Sequence, residues 1–338
     1  MTDSPPDAPA TAASRHADGR TATVVYLDQN KWIDLARAAT APDDHPHLRS
    51  VLELLCAKVA AGDIILPLTW ANIFETHKIN RLERRFHLAF TQVTLSEGRV
   101  FRGRHRQLEM EVGRVLSDLY GFARSEPEPL WFLSSLFFEA TAEADDARLG
   151  FGKFPNAIDW MRTHPKQALF QYLMETPEAV RTEAVRRFTV GCEELRARIE
   201  ARRTRHKAES LSMRRRIYSA VMAYNEQDVI IPIAERLGLP WTCLGDKDGA
   251  TLRAVIRDTP AFYIEREITL RLEAQSRAVT LNDMRDMRTF CSVLPYADIV
   301  VAEQQFTSLA RQAGLPARYG ARLETDIRAL PALLDGLT

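Results

Sequence analysis

The stretch Thr23-Val24-Val25-Tyr26-Leu27-Asp28-Gln29-Asn30-Lys31-Trp32 changes character at Asp28. Five β-branched and apolar residues are enough for a short buried strand, and from Lys31 the apolar positions recur at helical spacing. Asp28 therefore stands where a strand ends and a helix begins. The pattern repeats downstream. His47–Ala61 is helical by period and stops at Gly62, after which Ile64–Leu68 reads as a second strand. A strand, a helix and a strand in that order imply a parallel pair. Thr69 is placed to cap the next helix, which carries Glu75 in its second turn and is expected to run on through Ile79 and Leu82.

The far end of the chain reads the same way: a helix from about Asn282 to Val293, a strand Ile299–Ala302, a helix Phe306–Ala313, a short strand near Arg322 and a closing helix Ile327–Leu334. Between the ends, from about Ser96 to Arg257, the period is helical, with breaks around Pro127 and Pro129, Gly150–Pro155, Pro165 and Gly238–Pro240. The expected class is α/β. A central parallel sheet is built from both ends of the chain, residues 21–95 and 267–338, and residues 96–266 form a large, mostly helical insertion. Residues 1–20, rich in Ala, Pro, Asp and Thr, read as a disordered tail that lacks a secretion or transit signal.

Composition bounds the function. The 338 residues are 46% hydrophobic, so a sizeable core is expected, and no run approaches the roughly 20 apolar residues of a membrane helix. A cytoplasmic protein follows. Cys56, Cys192, Cys243 and Cys291 form no CxxC pair, which points to buried thiols in a reducing compartment, and the eight histidines show no HExxH spacing. Gly150-Phe151-Gly152-Lys153 lacks what a phosphate loop needs, and Asp246-Lys247-Asp248-Gly249 reads as a turn. Trp32 and Trp70 fit helix faces that pack on the sheet. The formal net charge is zero, yet charge is segregated: Arg84 to Arg106 holds six Arg against one acid, and Arg181 to Arg216 holds twelve Lys or Arg against five Glu.

In open parallel sheets ligands bind beyond the carboxyl ends of the strands. The residues there are acidic. Asp28 follows the first strand, Glu75 lies on the helix after the second, Asp283 and Asp286 open the helix before a later strand, and Glu303 follows that strand. Carboxylates converging on one crevice repel one another unless a divalent cation neutralises them, and hard oxygen donors suit Mg²⁺ or Mn²⁺. Asp283 can instead cap its helix, so spacing favours Asp286. Asp298 begins its strand, roughly 13 Å from Glu303 in an extended run, and is read as structural or supporting.

These residues resemble the PIN domains. Val25-Tyr26-Leu27-Asp28-Gln29-Asn30 is similar to the family's first motif, Thr69 to Glu75 to its second, and Asn282-Asp283-Met284-Arg285-Asp286 with Leu294 to Glu303 to its closing block. The resemblance spans Thr21–Leu95 and Glu267–Leu337 and leaves the centre unexplained; Glu303 stands where the family more often has Asp. It implies a PIN-like three-layer fold and a Mg²⁺- or Mn²⁺-dependent endoribonuclease. Asp28, Glu75, Asp286 and Glu303 would be its catalytic and metal-holding acids, with Asp283 and Asp298 as further candidates, and RNA its substrate. The basic helical stretch Arg196–Arg216 is the candidate RNA clamp, through Arg202, Arg203, Arg205, Arg214, Arg215 and Arg216; docking on an acidic or inhibitory partner protein is the competing use. Two other readings stay open: a catalytically silent RNA-binding or interaction module, and a DNA-directed nuclease of related fold.

Overall fold

The computed structural model describes residues 22–123, 127–141, 155–240, 242 and 249–335. The tail 1–20, Gly150-Phe151-Gly152-Lys153, Cys243 and Asp246-Lys247-Asp248 lie outside the described residues.

Four short strands form one parallel sheet: β1 (Thr23–Leu27), β2 (Ile64–Ile65), and, after a two-stranded antiparallel pair β3 (Val100–Phe101) and β4 (Leu133–Ser134), β5 (Ile299–Val301) and β6 (Arg322–Glu324). The order across the sheet is β2-β1-β5-β6. Tyr26 lies opposite Val300, and Val300 opposite Leu323, so the two ends of the chain meet in register at the centre. The chain leaves β1 toward β2 on one side and returns to β5 on the other. Strand order therefore reverses between β1 and β5.

Pleating sends alternate side chains to opposite faces. Val24, Tyr26, Val300 and Leu323 enter one apolar core; Val25, Leu27, Ile299 and Val301 enter another. Helices cover both faces, and the chain as a whole is mixed α/β and mostly helical. The first core takes Leu108, Val112, Met222, Ile230, Val255, Phe262, Met284 and Phe306 from helices over that face. The second takes Trp32, Leu35, Val51, Leu55, Ile73, Leu88 and Leu169. Residues 96–266 thus contribute to both cores. They are built into the same body as the sheet.

Local signals place most boundaries. Gly62, with φ of 78°, closes the helix Pro46–Ala61 in the left-handed conformation glycine adopts without strain, and Pro165 opens the helix Pro165–Glu175 at a position where its missing N–H costs nothing. Thr69 caps the helix Trp70–His77, with Asn72 returning the bond in a capping box.

Three expectations are corrected. The helix at Thr69 does not continue through Ile79 and Leu82: it ends at His77, and a new one runs Leu82–Ser96. Two arginines hold that break, the distant Arg181 donating to the His77 carbonyl at 2.6 Å and Arg85, near the start of the new helix, to that of Ile79 at 2.8 Å. Strands β3 and β4 are the second difference. Each has two residues, too few for a period, and β3 is held by Leu68, whose amide donates to Arg99 O at 3.0 Å while its carbonyl accepts from Phe101 N at 2.8 Å. Third, Cys192 and Cys291 are buried free thiols but Cys56 is exposed. Among the described residues no helix is long and apolar enough to cross a membrane.

Candidate active site

The crevice at the strand-order reversal is lined by Tyr26, Asp28, Asp286, Thr289, Phe290, Ala302, Glu303 and Phe306. Asp28 and Glu303 each occupy the junction between a central strand and the helix that follows it. The strand ladder carries through that junction, with Asp28 N donating to Val301 O at 2.9 Å. Asp286 arrives from the side, one and a half turns into the helix Leu281–Val293, and Thr289 and Phe290 follow at the next turn on the same face. Three acids separated by as many as 275 positions thereby share one small space.

Their electrostatics record the crowding. Burial, then the charges of Glu303 and Glu75, push Asp28 up to about 6, against the bond it accepts from Gln29 N at 2.8 Å. Asp286 is pushed up to about 8 by burial and by Asp28, Glu303 and Asp283 in that order. Among the described residues no three His, Cys, Asp or Glu side chains stand together as a ready coordination set. The carboxylates line the same crevice.

Glu75 sits on an adjoining wall. It is held by Lys78 at 2.8 Å and Arg285 at 3.3 Å, and its charge is still felt at Asp28. Asp283 is turned away. Its carboxylate caps its own helix through Thr280 N at 2.7 Å, takes Arg277 through both oxygens at 2.7 and 2.8 Å, and accepts from Gln305 at 2.8 Å. Asp298 lies at the amino end of β5, where its Oδ2 accepts from Val24 N at 2.8 Å. It extends the β1–β5 ladder at the end of the sheet remote from the crevice.

Several residues around the acids escaped the sequence reading. Asn30 donates to Glu303 Oε1 at 2.7 Å and fixes that exposed carboxylate beside Asp28. Gln29 is the hub of a polar cluster behind the crevice: its Oε1 accepts from Asn72 and Gln92, both at 3.2 Å, and its Nε2 donates to Thr76 Oγ1 at 3.2 Å. Asn30, at two positions from Asp28, could have been singled out from the motif; Gln92 had no local signal.

The six arginines of the expected clamp divide. Arg202 pairs with Glu273 at 2.6 Å and lies over the Tyr218 ring; Arg214 pairs with the other Glu273 oxygen at 3.2 Å. Arg215 grips Glu267 with two bonds of 3.0 Å, and Arg203 donates to the carbonyls of Gln275 and Arg277. These four tie the helices Glu178–Arg205 and Leu211–Asn225 to the helix Pro260–Ala274. Arg205 and Arg216 alone of the six are exposed.

No protein-family model matches the chain, and no curated protein or solved structure matches it either.

Proposed function

We propose that this protein is a metal-dependent endoribonuclease with a PIN-like arrangement of its catalytic acids. The observation that carries the reading is the convergence of Asp28, Asp286 and Glu303 at the carboxyl end of the sheet where strand order reverses, the place where open parallel sheets bind ligands. Two of the three are raised into the range of about 6 to 8 by burial and by their neighbours' charge, and among the described residues no cation is hydrogen-bonded to either. Half-buried carboxylates crowded together in this way call for a hard divalent cation.

The donor set fits Mg²⁺ or Mn²⁺, held by Asp28, Asp286 and Glu303 with Glu75 as the adjoining acid. Such an ion, when bound, supplies an activated water and neutralises charge developing on a phosphodiester. The chain's own residues prepare the place. Asn30 orients Glu303. Tyr26, Phe290 and Phe306 wall the crevice with rings and limit water around the acids. Arg285 and Lys78 hold Glu75 back and put positive charge beside the opening, where a phosphate would approach.

The test is cleavage of labelled single-stranded RNA and DNA of equal length with MgCl₂, MnCl₂ or EDTA, for the wild type, Asp28→Asn and Asp286→Asn. RNA cleavage that EDTA and either substitution abolish is the expected result. Cleavage of DNA alone would move the reading to a DNA-directed nuclease. RNA binding with no cleavage under any metal would leave the silent module, and cleavage indifferent to EDTA and to both substitutions would remove these acids from the chemistry.

A further inference from the structure

A second polar hollow opens away from the acids, between the helices Glu178–Arg205, Leu211–Asn225 and Leu281–Val293. Its walls carry Arg104, Arg198, Arg202 and Arg288 against only Glu226 and Glu265. Both acids are already engaged. Glu226 and Glu265 hold the half-buried Arg104 from two sides at 3.1 and 2.8 Å, and Tyr218 donates to Glu265 at 3.1 Å. Arg202 uses its Nε for Glu273, which leaves its Nη2 buried and without a hydrogen-bond partner among the described residues. A buried guanidinium N–H left open costs on the order of 1–3 kcal/mol.

Arg198 and Arg288 add two charges. Neither has a carboxylate partner among the described residues; Arg288 lies against Gly191, where an added Cβ would stand 3.5 Å from its Nη2, and near the ring of Phe188. Asn225 lines the same wall with a side-chain amide. Positive charge in excess and planar forks from two helices constitute a receptor for an oxyanion, for which bidentate guanidinium contacts are the strongest available.

We propose that this hollow binds a phosphate group, with Arg198 and Arg288 as its donors. On the endoribonuclease reading given above, the phosphate belongs to the RNA backbone. Arg288 lies two positions from Asp286 on one helix, and successive positions on a helix turn by about 100°. The hollow and the crevice thus open on different faces of the helix Leu281–Val293, with Arg285 between them beside Glu75. A strand wrapping that helix could meet both.

The experiment separates the site from the chemistry by working in EDTA, where no metal-dependent cleavage occurs. Binding of inorganic pyrophosphate and of a 12-nucleotide single-stranded RNA is measured by calorimetry for the wild type, Arg198→Gln/Arg288→Gln, Arg198→Glu and the control Arg37→Gln/Arg49→Gln, whose exposed arginines lie outside the hollow. The pocket variants should lose at least tenfold in affinity for RNA while the control keeps most of it. Arg198→Glu, at an exposed position, covers the case in which the double variant fails to fold. Pyrophosphate binding with the same sensitivity and no RNA binding would keep the phosphate site and assign it to a small phosphorylated ligand. Absence of binding to both probes, or equal losses in pocket variants and control, would overturn the proposal. Absence of cleavage by the wild type under every metal, with this binding intact, would sink the nuclease reading alone.

Discussion

Two aspartates three positions apart on one helix have opposite roles, and stability distinguishes them. Asp286 faces other acids; Asp283 faces Arg277, Thr280 and Gln305. A carboxyl raised in the folded protein favours the fold below its unfolded value near 3.8, and that advantage is lost as pH rises through the folded value. Without divalent cations, wild-type stability should therefore fall between about pH 4 and pH 8 through Asp28 and Asp286, raised to about 6 and 8. Asp286→Asn removes most of that slope and should gain on the order of 2 kcal/mol at pH 8. Asp28→Asn should behave alike with a smaller gain, because Asn caps the helix as Asp does. Urea titrations at pH 5 and pH 8 in EDTA check both; a variant no more stable than wild type at pH 8 would mean the charges are not crowded. Asp283→Asn should go the other way. It weakens a pairing of a buried carboxylate with a partly exposed arginine and costs about 1–3 kcal/mol.

At the scale of elements, the wall that carries Glu75 depends on how its helix starts and stops. Thr69 and Asn72 form the cap at one end, and Arg181 and Arg85 hold the other. Thr69→Ala should cost about 1 kcal/mol and is read by thermal unfolding. Arg181→Ala leaves the His77 carbonyl without its donor and should cost about 1–3 kcal/mol, although Arg181 lies 104 positions away. If Arg181→Ala proves silent, the break at Lys78 has another cause. The cap was legible because threonine and its partner lie within one turn. The stop was not, since nothing near Ile79 announces an arginine brought in by a different helix.

For the whole molecule, the sheet requires both ends of the chain and the cores require the middle. Phe101, Leu108, Met222 and Phe262 share a core with Val24 and Tyr26, while Leu169 and Phe138 share the other with Val25. Joining residue 95 to residue 267 by a short linker should therefore give no cooperative unfolding transition, because both sheet faces would expose apolar surface at about 25 cal/mol per Å². Circular dichroism across a thermal ramp tests it. A sharp transition would show that the terminal segments fold without residues 96–266, as a compact small domain would.

Short-range chemistry was readable from the chain: the strand that ends at Asp28, the cap at Thr69, the stop at Gly62, and the acids that follow strands or ride helices near them. Each is set by neighbours within a turn or a strand, where backbone sterics and hydrogen-bond geometry act on a few residues at a time. Sequence could also doubt Asp283, whose capping position lies three residues from Thr280. Only the tertiary structure decided which charges are free. Twelve cations between Arg181 and Arg216 look alike as letters, yet Arg202, Arg203, Arg214 and Arg215 are drawn inward to acids and carbonyls more than fifty positions away. The same holds for Asp28, Asp286 and Glu303, which become neighbours because β1 pairs with β5. Whether a charge meets a partner, another like charge or solvent depends on distance in space, and pairing across the fold sets that distance.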